Sequence, residues 1–164
     1  MESVRALALI IATISMGLMA GAFALYAHTI MPALGRVDNR TFVSVFQALD
    51  RAIINPWFLG GGFVGALVFT LLAAIVHYER KAFPWVVAAL GVYAIAFVVT
   101  IVIHLPLNDA LKTAGDPDRI ANLAAVRSAF NEPRWVIWNL VRVVTTTLAL
   151  ALLAWALFVH GKST

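Results

Sequence analysis

The sequence predicts an all-α integral membrane protein: a four-helix bundle with short extra helices in its two long loops, both on one face. Three observations predict it. The 164 residues are 62% hydrophobic and only 12% charged, against about 25% charged in soluble domains. The apolar residues gather into four runs, each long enough to supply the roughly 20 helical residues that cross a bilayer. The segments between the runs hold nearly all of the charge. The expected spans lie at about residues 6–30, 57–76, 84–103 and 135–159, in a single domain.

The first run follows Arg5, and Ala20-Gly21-Ala22 within it looks cleavable. Its apolar stretch is nevertheless longer than the roughly 7–15 residues of a signal h-region, so a retained helix is expected. Gly17 and Gly21 make a small-residue packing motif, as do Gly61 and Gly65 in the second run. Helix packing within one subunit is the first explanation of both, and a homo-oligomer is the second.

Between the first two runs, Thr41, Phe42, Val45, Phe46, Leu49 and Ile53 recur at helical spacing. Arg40, Gln47, Asp50 and Arg51 fall mostly elsewhere on the wheel. This pattern predicts an amphipathic helix lying on the bundle or at the headgroups.

A tight turn through His77-Tyr78-Glu79-Arg80-Lys81 joins runs two and three. Pro106 is expected to end the third helix. In the loop that follows, Asp116-Pro117-Asp118 reads as a helix start capped by Asp116. That helix should pass through Arg127 and Phe130 and stop before Pro133. Four spans put both long loops on one side and the termini and short turn on the other. The dense Arg80-Lys81 pair favours the short turn inside. The expected location is a bacterial inner membrane, with the termini cytoplasmic.

Several chemistries are excluded. With no cysteine there is no disulfide, thiolate nucleophile, cysteine zinc site or iron–sulfur cluster. The net charge of +4 is scattered between apolar runs and forms no basic stripe. It reads as membrane-flanking charge, and no nucleic-acid partner is expected. There is no glycine-rich phosphate loop and no HExxH. No carboxylate falls within the four expected spans, which argues against a transporter built on a buried acid.

The unusual residue is Arg142, two turns into the last run. A guanidinium at a helix centre costs about 2.5–3.5 kcal/mol on insertion scales. Trp135, Asn139, Arg142 and Thr146 are spaced four, three and four apart, so they share one helix face. Such a face must meet protein or a wet cavity, because lipid cannot satisfy it.

The loop-side ends of the other helices carry His28, His104 and Asn108. Imidazoles titrate near neutral pH and suit proton transfer. Two of them do not fill a metal's coordination sphere. No cofactor is therefore expected first, with haem or copper on His28 and His104 as the alternative. Asp109 is a candidate counter-charge for Arg142 or Arg127, while Arg127 and Arg134 otherwise read as solvated loop charges. Trp57, Trp85, Trp135 and Trp138 suit an aromatic belt, and Trp135 also suits a pocket wall. His77 and His160 share the opposite end, next to water, where no function is expected of them.

Pro106-Leu107-Asn108-Asp109-Ala110-Leu111 after the third run resembles a P-x-N-x-x-L element. Trp135-x-x-x-Asn139-x-x-Arg142 resembles a W-x-x-x-N-x-x-R element. Together with four helices and long first and third loops, these motifs make the chain similar to the anthrone oxygenase-like family over nearly its whole length. The resemblance implies a small membrane protein. In the fungal polyketide-pathway members it implies oxidation of an anthrone to an anthraquinone by molecular oxygen without a usual cofactor. Asn108, Trp135, Asn139 and Arg142 match the motifs, and His28 falls in an equivalent place.

The expected function is thus a membrane-embedded oxygenase acting on a hydrophobic aromatic or polyketide-like substrate. His28 or His104 would remove a proton, and Arg142 would stabilise the oxyanion. Asn108, Trp135 and Asn139 would bind the substrate. Two alternatives stand beside it: a non-enzymatic membrane binding or structural protein in which Arg142 and Asn108 tie helices together, and a haem or copper protein using His28 and His104.

Overall fold

The computed structural model describes residues 1–163, which form six helical stretches and no strand. Helix α1 runs Glu2–Leu34, α3 Trp57–Val76 and α4 Phe83–Lys112. The last span, Leu123–Gly161, consists of α5 (Leu123–Phe130) and α6 (Glu132–Gly161), joined at Asn131. Helix α2 (Asn39–Ile53) lies in the first long loop. The four long apolar helices make this a four-helix membrane bundle. Helix α6 packs against α1 and α4, and α3 closes the ring between those two.

The bundle core is built from small and medium side chains. Leu9, Ala12, Met16 and Met19 of α1 meet Ala66 and Ala73 of α3, Ala89 and Ala96 of α4, and Ala149 and Leu153 of α6. Repeated alanines let the backbones approach closely, which suits helices in lipid, where association rests on packing. The expected glycine motifs contribute less. A side chain at Gly17 would touch Leu150, whereas Gly21 and Gly61 face open space.

A second core sits at the loop end, where Phe42, Val43 and Phe46 of α2 pack with Met31, Leu111, Phe130 and Trp135. Each such side chain contributes about 1.5–3 kcal/mol when fully buried. Helix α2 is amphipathic and its apolar face lies on the bundle, but that face differs from the expected one at two positions: Val45 is exposed and Gln47 is buried. Asp38 caps the helix by accepting from the Thr41 amide at 3.0 Å and the Thr41 hydroxyl at 2.7 Å. Those bonds hold the Asp38 carboxyl below the usual carboxylate range. Gln47 is buried and donates to the Leu111 and Gly115 carbonyls, tying α2 to the end of α4.

Several loop expectations need correction. Asp116 and Pro117 start no helix. Helix α5 begins at Leu123, where the Asn122 side chain accepts from Ala125 N at 2.9 Å. Arg127 is not a solvated charge. It donates to Glu132 at 2.9 Å and to the Val37 carbonyl at 2.9 Å, and stacks 4.1 Å over Phe42. Asp109 is exposed and pairs with neither Arg127 nor Arg142.

Pro106 does not end the third helix either. The turn before it, Thr100–His104, is a π-helical segment, after which α4 continues to Lys112. Pro106 has no N–H to offer the Val102 carbonyl, and its ring would crowd that oxygen in a regular helix. The wider turn absorbs both problems. Two more π segments occur, Tyr26–Ile30 before Pro32 in α1 and Trp57–Phe63 after Pro56 in α3. All three lie at the loop end of the bundle. Each closes with a five-residue backbone bond, such as Leu105 N to the Thr100 carbonyl. Gly65 is required by the α3 segment, because a Cβ there would strike the Gly60 carbonyl. The Tyr93 hydroxyl donates to the Phe63 carbonyl at 2.7 Å, fixing the end of that segment against α4.

At the opposite end, His77 and His160 are more than boundary residues. Both are buried, with ring centroids 5.1 Å apart. Desolvation first, then the nearby His160 and Arg5, push the His77 imidazole below its ordinary range.

Candidate functional site

The three π segments surround one cavity of about 140 Å³, close to the roughly 150 Å³ apolar cavity that admits one benzene ring. π turns re-aim side chains and are frequent at functional sites. Here they contribute Tyr26 from α1, Phe58, Leu59 and Phe63 from α3, and Thr100 and His104 from α4. Helix α6 adds Trp135 and Arg142, and α2 adds Phe46 and Asp50.

Arg142 is 5% exposed. Its Nη2 donates to Asn139 Oδ1 at 2.7 Å and its Nη1 to Thr100 Oγ1 at 3.3 Å. Its guanidinium carbon lies 4.3 Å from the Phe23 ring centroid and 5.3 Å from that of Trp135. Among the described residues no carboxylate is within ion-pair distance of it, and its Nε has no partner. The buried charge is held by neutral groups alone, so it is desolvated and without a counter-charge, a costly arrangement.

Asn139 does not line the cavity. It is fully buried, accepts from Arg142, and donates to the Phe23 carbonyl at 3.1 Å. Its contacts therefore orient the guanidinium. Trp135 and Asn108 do line the cavity, linked by Trp135 Nε1 donating to Asn108 Oδ1 at 2.9 Å. Asn108 Nδ2 in turn donates to Asp50 Oδ1 at 2.9 Å. This chain locks the tryptophan ring as a wall, braced edge-on by Phe46 and by His104 at 4.9 Å.

The histidines separate. His104 is buried and lines the cavity. Its Nδ1 faces the Val99 carbonyl at 3.4 Å, and its Nε2 has no partner among the described residues. His28 is exposed, lies outside the cavity, and has its Nδ1 2.6 Å from the Thr29 hydroxyl. The two do not share a site, so the haem or copper reading that pairs them does not fit this geometry. No group of three His, Asp or Glu residues able to hold a metal occurs among the described residues. The face of α1 carrying Gly21, Leu25 and His28 is turned outward, and the buried face carries Met16, Met19 and Phe23.

Tyr26 and Asp50 also line the cavity, and the sequence pattern assigns neither to the site. Tyr26 is brought inward by the π turn that begins with it, stacking 5.7 Å from Trp135. Asp50 sits one turn before the end of α2 and is the one carboxylate lining the cavity. The available signal for Asp50 was its place on an amphipathic helix just ahead of a span.

Fold and site together define a membrane four-helix bundle with an aromatic, cationic cavity beneath its loop-side cap. The chain belongs to the anthrone oxygenase family, whose model matches residues 55–152. That range contains His104, Asn108, Trp135, Asn139 and Arg142, and excludes Tyr26 and Asp50. At family level this is a membrane protein of the oxygenase type. Neither the curated proteins nor the solved structures contain a match to the chain.

Proposed function

We propose that the chain is a membrane-embedded oxygenase that ionises an anthrone-like or phenolic aromatic substrate and delivers the resulting anion to molecular oxygen. The observation that carries this reading is Arg142, a buried cation lining an aromatic cavity with no carboxylate among the described residues within ion-pair distance. A substrate oxygen directed at the guanidinium gains charge as its ring system loses a proton. A preorganised cation in a dry site stabilises that developing charge far better than water does.

His104 is the base in this reading. Pairing of its Nδ1–H with the Val99 carbonyl leaves the lone pair on Nε2, which makes no hydrogen bond among the described residues. Proton transfer from the anthrone methylene to Nε2 leaves an enolate held by Arg142. The electron-rich ring carbon then adds oxygen. Loss of water from the adduct gives the anthraquinone, so one anthrone and one O2 become one anthraquinone and one H2O. Trp135 and Phe23 flank the guanidinium and supply the flat walls for the ring. Asn108 keeps Trp135 in place. Termini on the cytoplasmic side, as the Arg80-Lys81 turn favours, would put this cavity near the outer surface.

The test is oxygen uptake with anthrone by the purified protein in lipid nanodiscs. Arg142→Lys and His104→Ala should each reduce turnover at least about 100-fold, the usual cost of losing one such group, while the protein still inserts. Lysine fails because a point charge cannot reproduce the planar fork. Wild-type turnover in both variants overturns the proposal. A structural reading is favoured by a separate observation: Arg142 reaches Thr100 on α4, and Asn139 reaches Phe23 on α1, so the pair also bridges three helices.

A further inference from the structure

The cavity has a mouth, and its rim is apolar. Three residues line the cavity and are also open to the outside: Ile54 is 55% exposed, Leu59 37% and Leu105 48%. A residue with both properties stands at an opening. The opening therefore lies between the α2–α3 corner and the start of the α4 extension. All three residues are apolar. Trp57, beyond Asn55, and Ile101 and Val102 on the α4 side are apolar and exposed as well, and Arg51 lies on the α2 side of Ile54. Side chains added at Gly60 and Gly61, next to Leu59, would meet nothing. The polar groups, Arg142, His104, Asp50 and Asn108, line the interior.

A water-soluble ligand has no reason to cross an apolar rim whose Leu59 and Leu105 belong to helices long and apolar enough to span a bilayer. A ligand already dissolved in the bilayer meets that rim first. The interior, at about 140 Å³, has room for little more than one ring. Anything attached or fused to that ring, the remaining rings of an anthrone included, must lie in the mouth or beyond it.

Resting on the oxygenase reading above, we infer that the substrate class is a lipid-dissolved phenolic aromatic carrying an apolar chain. It enters ring-first through the lateral mouth at Ile54, Leu59 and Leu105 and leaves its chain in the bilayer. The ring's hydroxyl or keto oxygen meets Arg142. The chain lies along Leu59, Gly60 and Gly61 on one side and Ile101 and Leu105 on the other. Because the chain is in lipid both before and after binding, it neither helps nor hinders affinity once concentrations are referred to the lipid phase.

The experiment uses the full chain in phosphatidylcholine nanodiscs under argon, with two probes: 1-naphthol, and 1-naphthol bearing a ten-carbon chain that ends in a diazirine. Binding is read from the naphtholate absorption band, and the chain's position from photolabelling followed by peptide mass spectrometry. The expected result is binding of both probes within about threefold on a lipid-phase basis, since no contact is gained or lost by the chain. Labels that excess 1-naphthol competes away should fall on residues 54–61 and 101–105. Binding of 1-naphthol with the chain-bearing probe excluded 100-fold or more overturns the lateral mouth and leaves the oxygenase reading standing. Competed labels on the loop face, around residues 113–122, overturn it in the same way. If 1-naphthol itself shows no binding, the oxyanion site fails and the inference falls with it.

Discussion

Arg142 and Asn139 form one hydrogen-bonded unit, yet removing either should have opposite consequences. Asn139→Leu takes away the 2.7 Å acceptor of the guanidinium and the 3.1 Å donor to the Phe23 carbonyl. The cation stays buried and loses its best partner. A hydrogen bond to a charged group is worth about 1.5–3 kcal/mol, and the neutral one adds about 1. The expected loss is therefore about 2–4 kcal/mol, or roughly 5–15 °C in Tm for a chain of this size. Arg142→Met removes the cation itself and fills much the same space. No carboxylate is stranded, because none pairs with Arg142. The substitution leaves Asn139 Oδ1 without its donor, about 1–3 kcal/mol, but it also relieves the several kcal/mol that desolvating an unpaired charge costs. Arg142→Met should thus keep or raise Tm while losing anthrone turnover, and in the double variant the Asn139→Leu penalty should shrink sharply. Thermal unfolding in detergent, followed by tryptophan fluorescence, reads all three. An Arg142→Met protein that melts as early as Asn139→Leu would falsify the receptor reading and leave Arg142 as a helix tie.

The His77 imidazole is held below its ordinary value of 6.5 by burial, so the unfolded chain binds that proton first as pH falls. Stability contributed by neutral His77 is full above about pH 6.5 and declines below it, by at most about 1.4 kcal/mol per pH unit. Melting curves from pH 7.5 to 5 should show this slope, and His77→Gln should flatten it; a wild-type Tm unchanged over that range contradicts the assignment. Gly65→Ala should cost about 1–3 kcal/mol through its clash with the Gly60 carbonyl, whereas Gly21→Ala, facing open space, should gain up to about 1 kcal/mol of helix propensity. Equal melting temperatures for those two variants would count against the π turn in α3. Arg127→Leu strands Glu132 and two backbone carbonyls, so about 2–3 kcal/mol should be lost. Proteolysis of the loop containing α5 should accelerate with it, and an unchanged cleavage rate would refute the anchoring role.

The four spans were legible because lipid imposes a simple rule, a long run of apolar residues. The face carrying Trp135, Asn139, Arg142 and Thr146 was legible for a related reason: polar groups on an apolar helix can only turn inward. All four are buried. His28 was not, because α1 is apolar all round and its stripes differ little in hydropathy. A stripe through Gly17, Gly21, Leu25 and His28 looked as good as the one that is buried. That stripe is already exposed at Gly21 and Leu25 and His28 continues it outward, while Tyr26, at the start of the π turn, lines the cavity. Pro106 was misread because a widened turn lets a helix continue through a proline that would otherwise stop it. Asp50 could not be found by span analysis at all. It reaches the site through the folding of α2 over the bundle, a long-range contact that the helical pattern of α2 alone does not contain.

The central claim is that the cavity stabilises an aromatic oxyanion against Arg142. Anaerobic ultraviolet–visible titration of anthrone with the protein in nanodiscs tests this most directly, because the anthrone anion absorbs at longer wavelength than the neutral ketone. At neutral pH the account predicts the anion band on mixing with wild type and its loss with Arg142→Met, a protein that still melts normally. A neutral anthrone spectrum in the presence of saturating wild-type protein, or an equal anion band with Arg142→Met, would contradict it.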